Sequence, residues 1–253
     1  MKSIFIFLTV IIATSTIALG QESELKKDQI QSIQKLINTF KTKNKTKIAD
    51  FIYYPLKKEY PLKDVPDKND FIKRFDDIFD KEFLDKVIKS KINDWSRVGW
   101  RGIMFDDGNI WIGDDGKIIS VNYQSTKEKQ LLANAIQADK NQLPTSLQDF
   151  QKPTYLIFTK NYKIRIDEKV EGIYRYAAWK IKNPKSEPDV IIENGVREFE
   201  GSGGNQSITF KNNAYTYLVY INEIGTANDP NATLEVLKQE KRILIEDGKI
   251  KRN

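Results

Sequence analysis

The hydrophobic period changes partway along this chain. Before Asp94 apolar residues recur every three or four positions; beyond Trp95 they alternate, and after Pro153 almost nothing helical remains. A period of about 3.6 wraps a side-chain stripe around a helix, whereas a period of about 2 sends neighbours to opposite faces of a strand. A chain that switches between them needs two kinds of layer: helices against a sheet, then a region built of strands alone.

Ile30, Ile33, Leu36, Ile37 and Phe40 fall on one stripe of a first helix opening at Asp28. Residues 41–47 end it, and Ile48, Phe51 and Ile52 resume a shorter helical turn. Tyr54-Pro55-Leu56 and Tyr60-Pro61-Leu62 mark extended chain, because a residue before proline is pushed out of the helical region. Asn69 or Asp70 is expected to cap a second helix with Phe71, Phe75, Ile78 and Phe79 inward, and Asp80 a third with Phe83, Leu84, Val87 and Ile88 inward. Residues 101–105, 109–112 and 117–123 read as strands separated by Asp106-Asp107-Gly108 and Asp114-Asp115-Gly116, both hairpin signals. Residues 125–140 return to helix, with Leu131, Leu132, Ala135 and Ile136 as its apolar face.

The expected organisation is an α+β domain over residues 21–141, in which a curved sheet wraps over helices. A linker follows over 142–153, bounded by Pro144 and Pro153, and then an all-β domain over 154–253. In that last part the segments starting at Tyr162, Ile173 and Tyr215 alternate. Turn signals recur at Asn183-Pro184, Glu193-Asn194-Gly195, residues 201–204, Asn212-Asn213, residues 228–231 and Asp247-Gly248. About eight short strands at this spacing specify a small antiparallel barrel or sandwich.

Composition narrows the chemistry. The 253 residues contain no cysteine and no histidine. Disulfides, thiolate nucleophiles, CxxC zinc sites, imidazole bases and Ser-His-Asp triads are all excluded. Residues 1–20 place Lys2 before an apolar run and end in Ala18-Leu19-Gly20, the pattern of a secretory signal peptide. No later apolar run reaches the length of about 20 residues needed to span a bilayer. The expectation is an exported chain, periplasmic or secreted, with no transmembrane anchor after cleavage. The net charge of +6 is spread along the chain. Its densest basic stretch, residues 41–47, lacks aromatic neighbours and reads as a solvated loop, so no nucleic-acid partner is expected.

Carboxylates remain the available acid/base groups. A glycosidase needs two of them across a cleft, and Asp106, Asp107, Asp114 and Asp115 are the densest clusters. Each pair directly precedes a turn glycine, where aspartate is favoured for backbone reasons. The spacing of a calcium loop is absent, so no metal, cofactor or catalytic residue is assigned. Trp95, Trp100, Arg101, Trp111 and Tyr123 crowd the strand region and are the candidate ligand-binding residues; aromatics with arginine line pockets for sugars, headgroups or peptides. Glu200, Ser202, Gly203, Gly204 and Asn205 form a candidate partner-binding loop. A strand rather than a helix follows it, which argues against phosphate binding.

Two stretches carry a resemblance. The first runs from Tyr54-Pro55-Leu56 through residues 70–79 and 100–112 to residues 121–124; the second comprises residues 174–179, 188–195 and 200–205. Together they resemble a family of uncharacterised exported bacterial proteins. The first half is also similar to NTF2-like (cystatin-like) folds. The second resembles the β-barrel of periplasmic lysozyme inhibitors through its Ser-Gly loop, although that family's cysteines are absent here. The implied function is an exported, non-catalytic envelope binding protein. The alternatives are an inhibitor or immunity protein against a cell-wall hydrolase and a carboxylate-dependent glycoside hydrolase.

Overall fold

The computed structural model describes residues 22–182, 185–201, 203–223 and 229–251. The expected signal peptide, the Asn183-Pro184 turn, Ser202 and Asn228 lie outside them.

Helix α1 (Lys27–Lys41) buries Ile33, Leu36, Ile37 and Phe40 of the expected stripe, while Ile30, in its first turn, is exposed. The short α2 (Lys45–Ala49) begins where the Asn44 side chain accepts the Lys47 N–H. Helix α3 (Lys68–Ile78) is capped by Asp67 rather than by Asn69 or Asp70. The backbone is still extended at Asp67, so its carboxylate can turn back to accept the Asp70 N–H at 2.9 Å. Asp80 caps α4 (Lys81–Lys89) as expected, accepting the Phe83 N–H. Where these helices meet, Phe71, Phe75 and Phe79 pack edge to face and Phe79 stacks on Phe83, with ring centroids 5.5–6.0 Å apart along the run.

Strands β2 (Trp95–Val98), β3 (Ile103–Phe105), β4 (Ile110–Ile112) and β5 (Ile118–Val121) form a meander, extended at one edge by the two-residue β1 (Glu22–Ser23). Both Asp-Asp-Gly turns fall where the sequence places them. Asp106 and Asp107 adopt φ of 53°, and Gly108 and Gly116 φ of 90° and 78°. Trp95, Ile103, Phe105, Ile110, Ile112, Ile118 and Val121 face the helices in one core.

Helix α5 (Thr126–Asn141) starts at the Ser125 cap but departs from its expected packing. Leu131, Leu132, Ala135 and Ile136 are only half-buried, and the buried residue of the helix is Glu128. Its carboxylate meets Lys58 Nζ at 2.7 Å, a pair 2% and 3% exposed. Burial lowers the Lys58 ammonium and raises the Glu128 carboxyl, each partly offset by the other's charge.

Strands β6 (Lys152–Thr159), β7 (Tyr162–Val170), β8 (Ile173–Lys180), β9 (Val190–Phe199), β10 (Gln206–Asn212), β11 (Tyr215–Ile221), β12 (Ala232–Lys238) and β13 (Lys241–Ile250) follow in sequence. Each pairs antiparallel with the one before, and β13 closes on β6. The all-β region is therefore a barrel rather than a sandwich. Ile157, Ile164, Ile166, Ile208, Phe210, Val219 and Leu234 fill its centre.

Two expected turns lie inside strands. Glu193-Asn194-Gly195 forms an irregularity within β9, with Asn194 at φ 62°. A Cβ on Gly195 would stand 2.1 Å from the Phe210 ring. Asp247-Gly248 lies in β13, where a Cβ on Gly248 would meet Ile157 at 2.8 Å. Both glycines mark close approach of a core side chain to backbone, not chain reversal.

The segment between the units packs as a strap. Leu147 is fully buried with Ala177 and Trp179 on the outer face of β8, and Phe150 lies under the Arg165 and Arg175 guanidiniums. Arg175 Nη2 donates to the Leu147 carbonyl at 2.7 Å and to Asp167 at 2.6 Å, and Arg165 reaches Asp167 at 2.7 Å and Asp139 of α5 at 2.5 Å. Strand β8 is thus buried on both faces, which its alternation does not reveal. Among the described residues, no helix is long and apolar enough to cross a membrane.

Candidate binding site at the barrel mouth

The five residues singled out around the first sheet do not converge. Trp95 is 2% exposed, stacks on Phe105 at 4.5 Å and donates its indole N–H to Ser90 Oγ at 3.1 Å, so it is core. Tyr123 stacks on Phe83 at 3.9 Å and donates to Asp80 Oδ2 at 2.5 Å, tying β5 to the start of α4. Burial and that carboxylate raise its hydroxyl pKa. Trp111 points to the other side of the sheet from Ile110 and Ile112 and covers Gly108. Trp100 and Arg101 are exposed on the bend between β2 and β3. That bend exists because Gly102, at φ 105°, passes so close to Ile112 that a Cβ would stand 2.3 Å from its carbonyl oxygen. Local density in the sequence thus reflects a tight sheet corner.

Three of the four turn acids, Asp106, Asp114 and Asp115, are engaged where they stand. Asp106 meets Lys86 and Asn109, Arg97 donates to Asp114 at 3.1 Å, and Asp115 accepts the Lys117 N–H. Burial raises the Asp106 carboxyl, but hydrogen bonds from Lys86 and Asn109 hold it below its ordinary value. Among the described residues, no group of three carboxylates is placed to hold a metal ion.

A different set of aromatics does converge. Tyr162 on β7, Tyr176 on β8, and Tyr215 and Tyr217 on β11 line one end of the barrel around a cavity of about 320 Å³. Tyr162 and Tyr215 open their strands, Tyr217 follows two residues on and Tyr176 stands mid-strand, all with side chains on the inner face. Behind this lining Phe210 belongs to the packed core, its ring 5.5 Å from that of Tyr176, which in turn lies 5.4 Å from Tyr217 at a tilt of 43°. Ala178 is the small residue on this wall, and Val190, Leu234, Val236 and Leu244 complete it. Lys180 and Asp189 stand at the rim, where Asp189 accepts the Lys180 N–H at 2.8 Å and pairs with Lys185 at 2.9 Å.

Burial raises the hydroxyl pKa of Tyr176, and of Tyr217 with help from Tyr215 and Tyr162, so Tyr176 and Tyr217 stay protonated donors at neutral pH. Among the described residues, none of the four hydroxyls has a hydrogen-bond partner. Interiors of eight-stranded barrels are just wide enough to be filled by side chains or to hold one small ligand. Here the middle is filled and the mouth is open. An apolar pocket with a few convergent polar groups is the usual form of a small-molecule site.

Spacing could not reveal this set, because its members come from three strands and meet only when the sheet closes. The usable signal was the recurrence of tyrosine at inward positions of the alternating strands. The loop at Glu200, Gly203, Gly204 and Asn205 lies at the opposite end, joining β9 to β10. Gly201 and Gly204 take φ of 72° and 87°, the Glu200 N–H donates to the Asn205 carbonyl at 2.8 Å, and the adjacent Phe199 is 66% exposed.

No family model, curated protein or solved structure matches the chain.

Proposed function

We propose that this chain is an exported, non-catalytic binding protein of the bacterial cell envelope. Its barrel mouth takes one small, largely apolar ligand bearing hydrogen-bonding groups. The observation that carries this reading is the tyrosine-lined cavity whose four hydroxyls have no hydrogen-bond partner among the described residues. Unpaired phenols at a concave apolar surface suit a ligand that supplies both ring contact and acceptors. Export is supported by the sequence of residues 1–20. The N-terminal unit is read as NTF2-like, supported by a meander packed over α1, α3 and α4.

Titration with environment-sensitive aromatic probes tests the mouth. Saturable binding is expected, weakened about tenfold or more by Ala178→Leu, which fills the cavity, with little change in melting temperature. Undiminished binding in that variant sinks the reading.

A second reading is an inhibitor or immunity protein against a cell-wall hydrolase, favoured by exposed Phe199 beside the Glu200–Asn205 loop. Incubation with peptidoglycan hydrolases of several classes tests it; Phe199→Ala should relieve any inhibition seen. Full hydrolase activity at micromolar protein rejects it.

A further inference from the structure

A second concavity, of about 460 Å³, lies where α5 meets the outer wall of the barrel. It is bounded by Tyr60, Asp139, Leu156, Lys163, Arg165 and Lys251. Lys163 and Arg165 stand two apart on β7 and so share its outward face. Lys251 follows β13 and donates its N–H to the Leu156 carbonyl at 2.7 Å, and Leu156 is the register partner of Arg165. Closure of the barrel therefore brings three cations from two distant parts of the sequence to one wall.

The acids nearby do not balance them. Asp139 is paired with Arg165, and Asp167 with Arg165 and Arg175. Among the described residues, neither Lys163 nor Lys251 enters an ion pair; the Lys163 ammonium lies over the Trp179 ring at 4.8 Å. Burial lowers its pKa, and the like charges of Arg165 and Lys251 lower it further. Arg165 is 4% exposed, and its Nε has no hydrogen-bond partner. The Tyr60 hydroxyl has none either among the described residues. Leu143 and Leu156 supply an apolar wall beside this charge.

We propose that this groove is an anion site for a phosphate group carried on an apolar moiety, bound by Lys163, Lys251 and the Tyr60 hydroxyl against the fixed charge of Arg165. Three separated donors suit an oxyanion with three peripheral oxygens. A planar carboxylate is better matched by a guanidinium fork, and the fork of Arg165 already holds Asp139. The site lies on the outer wall and is separate from the barrel mouth, so it does not depend on the mouth having a ligand.

The test measures binding of glycerol phosphate, and of phosphatidylcholine vesicles with and without phosphatidylglycerol, to the full chain and to two double variants. Lys163→Gln with Lys251→Gln is expected to weaken binding about tenfold or more, while Lys163→Arg with Lys251→Arg stays close to the unsubstituted chain. Saturation by glycerol phosphate identifies a soluble phosphate ester; retention on anionic vesicles alone identifies a headgroup. Both results support the site when the glutamine pair loses them. Lys251→Gln alone, at an exposed position, gives the same readout if the double variant is less stable. No saturable binding of either probe, or equal binding by the glutamine pair, overturns the proposal.

Discussion

The two units of this protein solve burial in opposite ways. The helix-and-sheet unit fills its core with phenylalanine and isoleucine, and most of its inward residues are under 4% exposed. The barrel fills its middle similarly but ends in tyrosines around an open space, and it buries charge on its outer wall beneath the strap. A close-packed core contributes stability and leaves no internal space, and the concavity this unit does carry, about 570 Å³ beside α4 and β3, is lined mainly by charged and polar side chains rather than by aromatics. A barrel stopped short of full packing keeps room at one end. This contrast, more than any single residue, directs the functional reading to the barrel.

The largest expected effect lies in the packed unit. Phe79 touches Phe40, Phe71, Phe75 and Phe83, so Phe79→Ala should cost about 4 kcal/mol. Urea unfolding measures it, and a loss near that of a surface mutation would break the contrast. Asp167→Ala should cost about 3 kcal/mol or more, because Arg175, fully buried, loses its carboxylate. Its effect should also loosen the strap, read as faster proteolysis within residues 142–151. Gly195→Ala should cost about 2 kcal/mol through the collision with Phe210. That substitution should disturb mouth binding as well, since Phe210 packs on Tyr176 of the mouth.

The smallest effect concerns acid. Burial pushes the Glu246 carboxyl up, but bonds from Thr159 Oγ1 and from the Asn161 side chain and N–H bring it below its ordinary value. A depressed folded-state pKa stabilises the protein above the unfolded value of about 4.3 and loses that contribution as pH falls through the folded value. Glu246→Gln should therefore flatten the barrel's loss of stability between pH 5 and pH 3, followed by circular dichroism. An unchanged acid profile would remove Glu246 from the explanation.

Much of the fold was legible because local chemistry and final packing agree. The α1 stripe, the Asp80 cap, the two Asp-Asp-Gly turns and the strand-rich second half all follow from residue spacing. Failures arose where a distant neighbour decides. Gly195 and Gly248 resemble turn residues until Phe210 and Ile157 are seen pressing on them. The half-buried face of α5 and the strap depend on Arg165 and Arg175, which no local pattern reports. The candidate site was least legible. Trp95, Trp100, Arg101, Trp111 and Tyr123 are dense in sequence but divided between core, corner and outer face, whereas the mouth tyrosines are scattered in sequence and joined by closure.

The most direct measurement of the central claim follows tyrosine-ring and tryptophan-indole resonances while an aromatic probe is titrated into the full chain. Saturable shifts at Tyr176 and Tyr217, with the Trp100 and Trp111 indoles unmoved, are the expected result. Shifts at those indoles with the mouth tyrosines silent would place the site on the first sheet and contradict the assignment to the barrel.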